Sequence, residues 1–153
     1  MRYKIISIGK IKEKYLKAGI EKYLKRIKNY GKIEIIELKE AKAKTRTEVQ
    51  GIESLALLTE ARNSYIVALD EIGQQYSSLE LSKKITNLEN SSISQVSFLI
   101  GGAEGHSPEL KKKANLLLSL SKLTFAHEMV RLILLEQIYR IETIRSGHPY
   151  HRD

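Results

Sequence analysis

The sequence predicts an α/β fold in which a parallel sheet is covered by helices on both faces. Short apolar segments alternate along the chain with segments of helical periodicity, which is typical of βαβ units. Two of the predicted strands, Tyr65–Leu69 and Val96–Ile100, are apolar on both faces, as a doubly covered sheet requires. With 153 residues, no repeats and no low-complexity linker, we expect one domain spanning residues 1–153.

The first half of the chain supplies three predicted strands and two predicted helices. The strands are Lys4–Ile8, Ile33–Leu38 and Tyr65–Leu69, the last of which stops at Asp70. The first helix is amphipathic, and Gly31 follows it as a stop signal. Its apolar face consists of Leu16, Ile20, Tyr23, Leu24 and Ile27. A basic connection, residues 39–47, leads to a second helix that is marked by Val49, Ile52, Leu55 and Ala56.

Two helix-start signals flank the fourth predicted strand. Ser77 and Glu80 have the spacing of a capping box, which predicts a third helix. Val96–Ile100 predicts the strand itself. Ser107 is a preferred N-cap residue and Pro108 suits the first helical position, so we expect a short helix to begin there.

The last part of the chain predicts a strand and a long helix. Leu116–Leu120 is typical of a fifth strand, although a helix continuing from Leu110 would also suit the sequence. The long helix runs from about Ala126 to Arg145 and carries two apolar stripes, whereas a helix on the surface of a monomer needs one. One stripe contains Val130, Ile133, Leu134, Ile138, Ile141 and Ile144, and the other contains Met129, Leu132, Leu135 and Tyr139. A homodimer would bury the second stripe; burial beneath other parts of the same chain is the alternative.

A glycine cluster follows the fourth predicted strand. The segment Gly101–Gly102–Ala103–Glu104–Gly105 lacks the lysine of a P-loop, and its glycine spacing differs from G-x-G-x-x-G. Loops at the carboxyl ends of parallel strands are where open α/β sheets bind ligands. Because Glu104 would repel a phosphate, the cluster favours a cationic or neutral ligand that is held by backbone groups. A tight strand-to-helix turn without a ligand is the alternative interpretation.

A second loop separates the fifth predicted strand from the last helix. The residues from Ser119 to His127 include several hydroxyl side chains that could complete a pocket beside the glycine cluster. The alternative is a capping loop in which Thr124 caps the helix. His127 lies near the positive end of the helix dipole, which disfavours a charged imidazole. It is therefore either a neutral hydrogen-bonding partner or a structural histidine.

Positive charge is concentrated in the first third of the chain. The formal net charge is +8; residues 1–48 hold 15 Lys and Arg against 6 Asp and Glu, and residues 49–153 hold 11 against 12. Such a one-sided distribution suits a polyanion such as RNA, and a solvated lysine-rich helix is the alternative. The chain has no cysteine, no signal-peptide pattern and no apolar run near the ~20 residues of a membrane span, so a cytoplasmic location is expected.

The carboxyl-terminal tail, Gly147–Asp153, has an unusual composition for a chain end. Tyr150 can stack on a base, Arg152 can hold a phosphate and His151 can exchange a proton. His148 and His151 have metal-ligand spacing, but a proline lies between them and no carboxylate cluster is near, so no metal is expected. Arg140 follows Glu136 by four residues, which favours an ion pair on the last helix.

Four segments together resemble the ribosomal RNA large-subunit methyltransferase H family of the SPOUT superfamily. They are Ile100–Gly105, Leu118–His127, Val130–Arg140 and His148–Arg152, and their order and spacing extend the resemblance over essentially the whole chain. The resemblance implies a SPOUT-type parallel sheet with a C-terminal trefoil knot, and a homodimer. It also implies that S-adenosylmethionine is used to methylate N3 of a pseudouridine in 23S ribosomal RNA, with S-adenosylhomocysteine as the product.

The resemblance assigns the cofactor-binding residues to three strand-end segments. By matching motif positions, the cofactor is expected to contact Leu69, Gly101, Gly102, Ala103, Glu104, Gly105, Ser121, Lys122, Leu123, Thr124, Phe125 and Ala126. A sulfonium cation tolerates Glu104 where a phosphate would not. Relatives usually carry proline at the position of Ala126, which leaves this loop less rigid here.

The same resemblance leads to a hypothesis for catalysis. Tyr150 and Arg152 are expected to position the nucleotide, Arg140 to support the tail or a phosphate, and His127 or His151 to assist removal of the N3 proton. The tail is expected to complete the partner subunit's pocket. Free 23S ribosomal RNA, the large subunit and the assembled ribosome are all possible substrates. A noncatalytic RNA-binding domain and a methyltransferase of transfer RNA are the competing interpretations.

Overall fold

Five strands form one sheet in which every neighbouring pair is parallel. In this computed structural model, which describes residues 1–152, the strands in chain order are β1 (Arg2–Ile8), β2 (Lys32–Leu38), β3 (Tyr65–Gln75), β4 (Gln95–Ile100) and β5 (Leu116–Ser119). Their order across the sheet is β2-β1-β4-β3-β5. The predicted parallel sheet is therefore confirmed, and β5 ends one residue earlier than the sequence predicted.

Five helices cover the two faces of the sheet. They are α1 (Lys14–Ile27), α2 (Arg46–Glu60), α3 (Ser78–Asn90), α4 (Pro108–Lys113) and α5 (His127–Arg145). The larger core lies between the sheet and α1, α3 and α5. The smaller core lies on the other face, beneath α2 and α4. The chain thus passes around the carboxyl-terminal edge of the sheet between β5 and α5, from the face of α4 to the face of α1.

Side-chain caps start three of the helices. Ser77 and Glu80 form the predicted capping box at α3, and Ser107 caps α4 with Pro108 at the first helical position. Thr45 accepts a hydrogen bond from the backbone N–H of Glu48 and starts α2 at Arg46. This helix begins inside the segment that the sequence predicted as a connection, because its first two residues, Arg46 and Thr47, are polar and continue the basic run before them.

Strand β3 is longer than the sequence predicted. It does not stop at Asp70 but continues to Gln75, with a register shift between Leu69 and Gln74 in its pairing with β5. An added Cβ at Gly73 would lie 2.7 Å from the backbone of Leu117, so only glycine allows this approach. The extension is mostly polar, and the alternation that marks a half-buried strand is absent from it.

The buried face of α2 also differs from its apolar pattern. Ile52 and Leu55 are 53% and 66% exposed, whereas Glu53, Ser54 and Leu57 face the protein. A carboxylate oxygen of Glu53 accepts a hydrogen bond from the backbone of Ala41. The hydroxyl of Ser54 accepts one from the backbone of Ser107. Polar residues take the inner face because α2 packs against loops whose backbone groups need partners.

Helix α5 buries residues of both its apolar stripes within the chain. Ile138 and Ile141 of the first stripe are buried, and so are Leu135 and Tyr139 of the second. Helices α1 and α3 flank α5 and supply this cover. Burial within the chain therefore accounts for part of the second stripe. Met129, at the first turn, is the member of that stripe that stays exposed.

Candidate functional site

A cavity lies at the carboxyl-terminal edge of the sheet, where the loops after β3, β4 and β5 meet. Its volume is about 600 Å³. Of the twelve residues predicted to bind the cofactor, those that line it are Leu69, Gly101, Gly102, Ala103, Glu104, Gly105, Ser121, Leu123, Thr124 and Phe125. Lys122 and Ala126 belong to the same loop but are not among the lining residues. The structure thus brings together most of the predicted set.

The glycine cluster is packed too closely for side chains at two positions. A Cβ at Gly102 would lie 2.6 Å from a carboxylate oxygen of Glu53, and one at Gly101 would lie 3.2 Å from the ring of His106. Gly105 has a φ of +71° and donates a hydrogen bond to the carbonyl of Gly102. The cluster is therefore a tight turn and a cavity wall at once, so the two interpretations of its sequence are compatible.

The loop after β5 is held by its own hydroxyl groups. The hydroxyl of Ser119 donates to the carbonyl of Ser121, and the hydroxyl of Ser121 accepts from the backbone of Leu123. Thr124 donates to the carboxylate of Glu71 on β3, over 3.2 Å. The alternative in which Thr124 caps the last helix is wrong, since the N-cap residue is Ala126 and no side chain bonds there.

Three carboxylates surround the cavity. Asp70 pairs with Lys111 over 2.8 Å, and Glu104 pairs with Arg46 from α2. Burial favours the neutral form of Asp70, but hydrogen bonds from Lys111 and the backbone of Ile72 outweigh it and lower the pKa of this carboxyl. The cavity lining therefore holds three carboxylates, from Asp70, Glu71 and Glu104, against the two cations of Arg46 and Lys111, an excess of one acidic group.

Several lining residues were missed by sequence reasoning, namely Arg46, Gln50, Asp70, Glu71, His106 and Lys111. Asp70 and Glu71 follow the predicted end of β3, so their position next to a strand end was a usable signal. Arg46 and Gln50 come from α2, and Gln50 donates to the carbonyl of Glu104 over 2.8 Å. Their proximity arises only when the two faces fold together, and no local pattern indicates it.

His106 occupies an unusual position in the cavity wall. Its side chain is 5% exposed, and neither ring nitrogen makes a hydrogen bond that satisfies normal geometry. Burial lowers the pKa of His106, although the nearby backbone of Leu99 and the charge of Asp70 offset part of that effect. The ring is therefore neutral at physiological pH, with a buried N–H and a buried lone pair.

His127, at the start of α5, lines the same cavity. Its Nε2 lies 3.0 Å from the carbonyl oxygen of Ile8. Because a carbonyl can only accept, Nε2 carries a hydrogen in this contact, which makes Nδ1 the acceptor of the neutral ring. Arg131, 2% exposed, donates to the same carbonyl and to Glu37, each over 2.8 Å. Burial lowers the pKa of Arg131, and the charge of Glu37 opposes that shift.

The remaining predicted catalytic residues cluster at the other end of α5. Arg140 pairs with Glu136 over 2.6 Å, as predicted, and its guanidinium lies 4.8 Å from the ring centre of Tyr150. Tyr150 packs on Tyr139 and donates to Glu136 over 3.1 Å. His151 lies 3.3 Å from Arg140. Arg140 thus supports the tail of its own chain.

The ionisation of the tail cluster follows from these contacts. The hydrogen bond to Glu136 raises the pKa of Arg140. Burial raises the pKa of the Tyr150 phenol, and neighbouring Tyr23 and Glu136 add to it, so the phenol stays protonated. Arg152 is exposed, and Asp153, the last residue of the predicted tail, lies outside the described residues.

The predicted catalytic residues therefore form two groups within one chain. Arg140 lies thirteen positions after His127 on α5, and at 1.5 Å per residue their backbones are about 20 Å apart. Only His127 belongs to the cavity. Among residues 1–152, no three His, Asp or Glu side chains are grouped so as to hold a metal ion. No helix in that range has the length and apolar character needed to cross a membrane.

Comparison with known proteins places the chain in a family. Residues 1–151 match the family model described as "Predicted SPOUT methyltransferase". The chain belongs to the SPOUT methyltransferase family. Two relatives are each named ribosomal RNA large subunit methyltransferase H. The protein of Natranaerobius thermophilus is 43% identical over 99% of both chains, and that of Clostridioides difficile is 44% identical over 99% of this chain and all of its own.

A solved structure also aligns with this SPOUT family member. The SpoU methyltransferase AviRb from Streptomyces viridochromogenes, crystallised in complex with AdoMet, covers 95% of this chain with 58% of its own length. The TM-score is 0.44 and the sequence identity is 10%. This likeness is too distant to support an argument about the site.

Proposed function

We propose that this protein transfers a methyl group from S-adenosylmethionine to N3 of a pseudouridine in 23S ribosomal RNA of the large subunit. Family membership and the full-length similarity to proteins named ribosomal RNA large subunit methyltransferase H support an rRNA methyltransferase. The observation that carries the proposal is the cavity at the strand ends, which is lined by the glycine cluster and by the carboxylates of Asp70, Glu71 and Glu104.

The residues present fit this methyl donor. Close packing at Gly101 and Gly102 leaves main-chain groups facing the cavity, where adenine and ribose can be held without side chains. Asp70, Glu71 and Glu104 supply negative charge beside it. When bound, S-adenosylmethionine supplies an electrophilic methyl group on a sulfonium and is left as S-adenosylhomocysteine. The phosphate groups of a nucleotide would instead be repelled by these carboxylates.

The chain's own residues have to orient the base and remove its proton. The free lone pair on Nδ1 of His127 makes this atom a candidate acceptor for the N3 proton. His151 is the other candidate. Arg152 carries an exposed positive charge that can hold a phosphate, and Tyr150 offers a ring for stacking on the base. Orientation of this kind supplies a large part of the acceleration in transfer reactions.

A composite site in a homodimer would unite the two groups. Because about 20 Å separates His127 from Arg140 along α5, one chain does not bring its own tail to its own cavity. A partner that lies across the edge of the sheet can supply Arg140, Tyr150, His151 and Arg152 to the cavity instead. Leu123 and Met129, exposed beside the cavity, are suitable apolar contacts for such a partner.

The resemblance also implies a trefoil knot, a cytoplasmic location and action on ribosomal particles. The passage of the chain from α4 around the sheet edge to α5 on the opposite face supports the knot. A crystal structure with a continuous trace through residues 100–130 tests it. Which form of the RNA is used, free or assembled, is decided by the assay below.

The test is methyl transfer from labelled S-adenosylmethionine to ribosomes, large subunits and bare 23S ribosomal RNA, all prepared from a strain that lacks this gene. The expected result is one methyl group per large-subunit RNA, mapped to N3 of one pseudouridine. Labelling of transfer RNA instead would identify transfer RNA as the substrate. Binding of RNA with no donor uptake and no transfer would leave a noncatalytic RNA-binding domain.

Mixed dimers test the composite site. A chain that lacks residues 150–153 is expected to be nearly inactive alone, and a chain with Gly102→Ala is expected to be impaired at donor concentrations near the Kd of the unaltered protein. When they are co-expressed, heterodimers combine one intact cavity with one intact tail and recover part of the activity. Absence of recovery, with heterodimers confirmed by tagged purification, would show that cavity and tail act within one subunit.

A further inference from the structure

The carboxyl-terminal edge of the sheet has two unlike halves. The loops after β3, β4 and β5 form the cavity, while the loops after β1 and β2 carry a series of lysines. We define the basic rim as these exposed side chains: Lys10, Lys12, Lys14, Lys39, Lys42 and Lys44. We infer that the basic rim is the docking surface for the RNA backbone next to the methylated nucleotide; this inference rests on the proposed function.

The two loops of the rim form one surface. The backbone N–H of Gly9 donates to the carbonyl of Leu38 over 2.7 Å, which joins the ends of β1 and β2. The backbone N–H of Ile11 donates to Glu37 over 2.8 Å. The lysines on either side of these contacts are therefore presented together, along a continuous stretch of the sheet edge.

Three carboxylates of this region are engaged by other groups, whereas Glu13 and Glu40 are exposed among the six lysines, which stay in excess. Glu37 binds Arg131 and the backbone of Ile11, and Glu128 accepts from the backbone of Lys12 and Glu13. Glu48 accepts from the backbone of Lys44. Within residues 1–152, none of the six rim lysines forms a salt bridge. Free ammonium groups in this density suit the phosphates of RNA.

The rim also touches the cavity. The backbone of Ala41, between the rim lysines, donates to Glu53, the side chain that packs against Gly102. At the start of α2, Arg46 pairs with Glu104 in the cavity wall. A strand whose phosphates lie on the rim is thereby placed beside the mouth of the cavity, where its base can be presented to the donor.

This arrangement divides the basic residues of segment 1–48 between the two opposite edges of the sheet. Helix α1 runs back from the rim, so its later lysines lie toward the opposite edge of the sheet. Arg2 and Lys32 are paired at the amino-terminal ends of β1 and β2, and these strands are about 20 Å long. The same two strands thus carry lysines at both ends, and only one end adjoins the cavity.

The experiment compares two triple variants with equal loss of charge. The rim variant carries Lys10→Gln, Lys42→Gln and Lys44→Gln; the control carries Arg2→Gln, Lys28→Gln and Lys32→Gln. For the full-length protein and unmethylated large subunits, KM and kcat are measured at several salt concentrations. Binding of bare 23S ribosomal RNA is measured in parallel, and donor affinity is measured by calorimetry without RNA.

The rim variant is expected to raise KM about tenfold or more at 0.1 M salt and to lower the salt slope of RNA binding by about 2, since three phosphate contacts are lost. Donor affinity and kcat at saturating RNA stay unchanged, and the control shifts KM less than twofold. Equal effects of the two variants, or no effect of the rim variant, would overturn the inference. An effect on particles but not on bare RNA would also overturn it, by assigning the rim to a ribosomal protein.

This outcome is separable from failure of the proposed function. If the unaltered protein takes up no donor and transfers no methyl group, the enzymatic proposal fails, whatever the variants do. If it methylates normally and the rim variant retains its KM, only the rim inference fails.

Discussion

The two ends of α5 hold functional candidates of different kinds. At its start, His127 faces a cavity built largely from the backbone of glycine-rich and serine-rich loops. At its end, Arg140 and Tyr150 sit in an aromatic cluster in which each has a partner. The first end is shaped to receive a small molecule, whereas the second presents side chains. Under the proposed function, the first end would bind the donor and the second would position the base.

The largest expected effect comes from removing the tail. Deletion of residues 150–153 removes Tyr150 and Arg152, so methyl transfer should fall by about 10²–10⁴-fold because the base is no longer positioned. Donor affinity, measured by calorimetry, should stay within about twofold, since every residue that lines the cavity, from Arg46 to Val130, is retained. Arg152→Ala serves as the milder control that retains Tyr150. Full activity of the truncated protein would show that the tail does not position the base and would contradict the division between the two ends of α5.

The second prediction alters the cavity and leaves the tail intact. Gly102→Ala places a Cβ 2.6 Å from Glu53, and the resulting shift should cost about 1–3 kcal/mol. Donor affinity should fall about tenfold or more, while the tail cluster is unaffected. Gly51→Ala is the matched control, because a Cβ there meets nothing within 4 Å on α2 and should stabilise the protein by about 0.5–1 kcal/mol. Unchanged donor binding in Gly102→Ala would contradict the assignment of this wall.

The buried imidazole of His106 in the cavity wall predicts that the folded protein loses stability at acid pH. Burial lowers the pKa of this imidazole in the folded protein from its ordinary value of 6.5. The unfolded chain therefore takes up a proton first, so the stability present above about pH 6.5 is lost as the pH falls below it. His106→Leu removes the buried polar ring and should raise stability by about 1 kcal/mol at pH 8.

The pH dependence of the stability of His106→Leu distinguishes loss of a titrating group from a change in packing. The gain in the free energy of unfolding, from urea titrations at pH 5 and pH 8, should be larger at pH 5. Ser107→Ala, next in sequence, tests general disturbance of the loop and should show no such difference. An equal gain at both pH values would mean that His106 is not the group that titrates.

The smallest expected effect concerns the loop that enters α5. Ala126 has φ −55° and ψ 135°, within the range that a proline ring imposes. Ala126→Pro should therefore raise the free energy of unfolding by about 0.4–1 kcal/mol, because the unfolded chain loses freedom. Calorimetric unfolding measures the change, and Ala126→Gly is the matched control, with the opposite sign expected. Destabilisation by proline would show that this backbone N–H has a partner that the substitution removes.

Sequence patterns predicted the sheet because its signals are local. The strand at Val96–Ile100 and the caps at Ser77 and Ser107 depend on neighbouring residues, and each is present in the structure. The extension of β3 beyond Leu69 depends instead on pairing with β5, which a polar sequence does not reveal. The exposure of Ile52 could not be predicted for the same reason, since it depends on which segments pack against α2.

The candidate site was predictable where residues follow strand ends in sequence. Gly102 and Ser121 were identified in this way and both line the cavity. His106 was missed because its role depends on burial, and a histidine beside a helix cap has no signature of that. The separation of His127 from Arg140 was predictable as well, since the sequence placed both on one helix, in which each residue adds 1.5 Å along the axis.

The buried guanidinium of Arg131 has a mechanical consequence. It joins α5 to the carbonyl of Ile8 at the end of β1 and to Glu37 near the end of β2. The lysine-bearing loops and the first turn of the last helix are thereby clamped to a common point. His127 contacts the same carbonyl, so one buried side chain fixes the strand ends and the ring of His127 relative to one another.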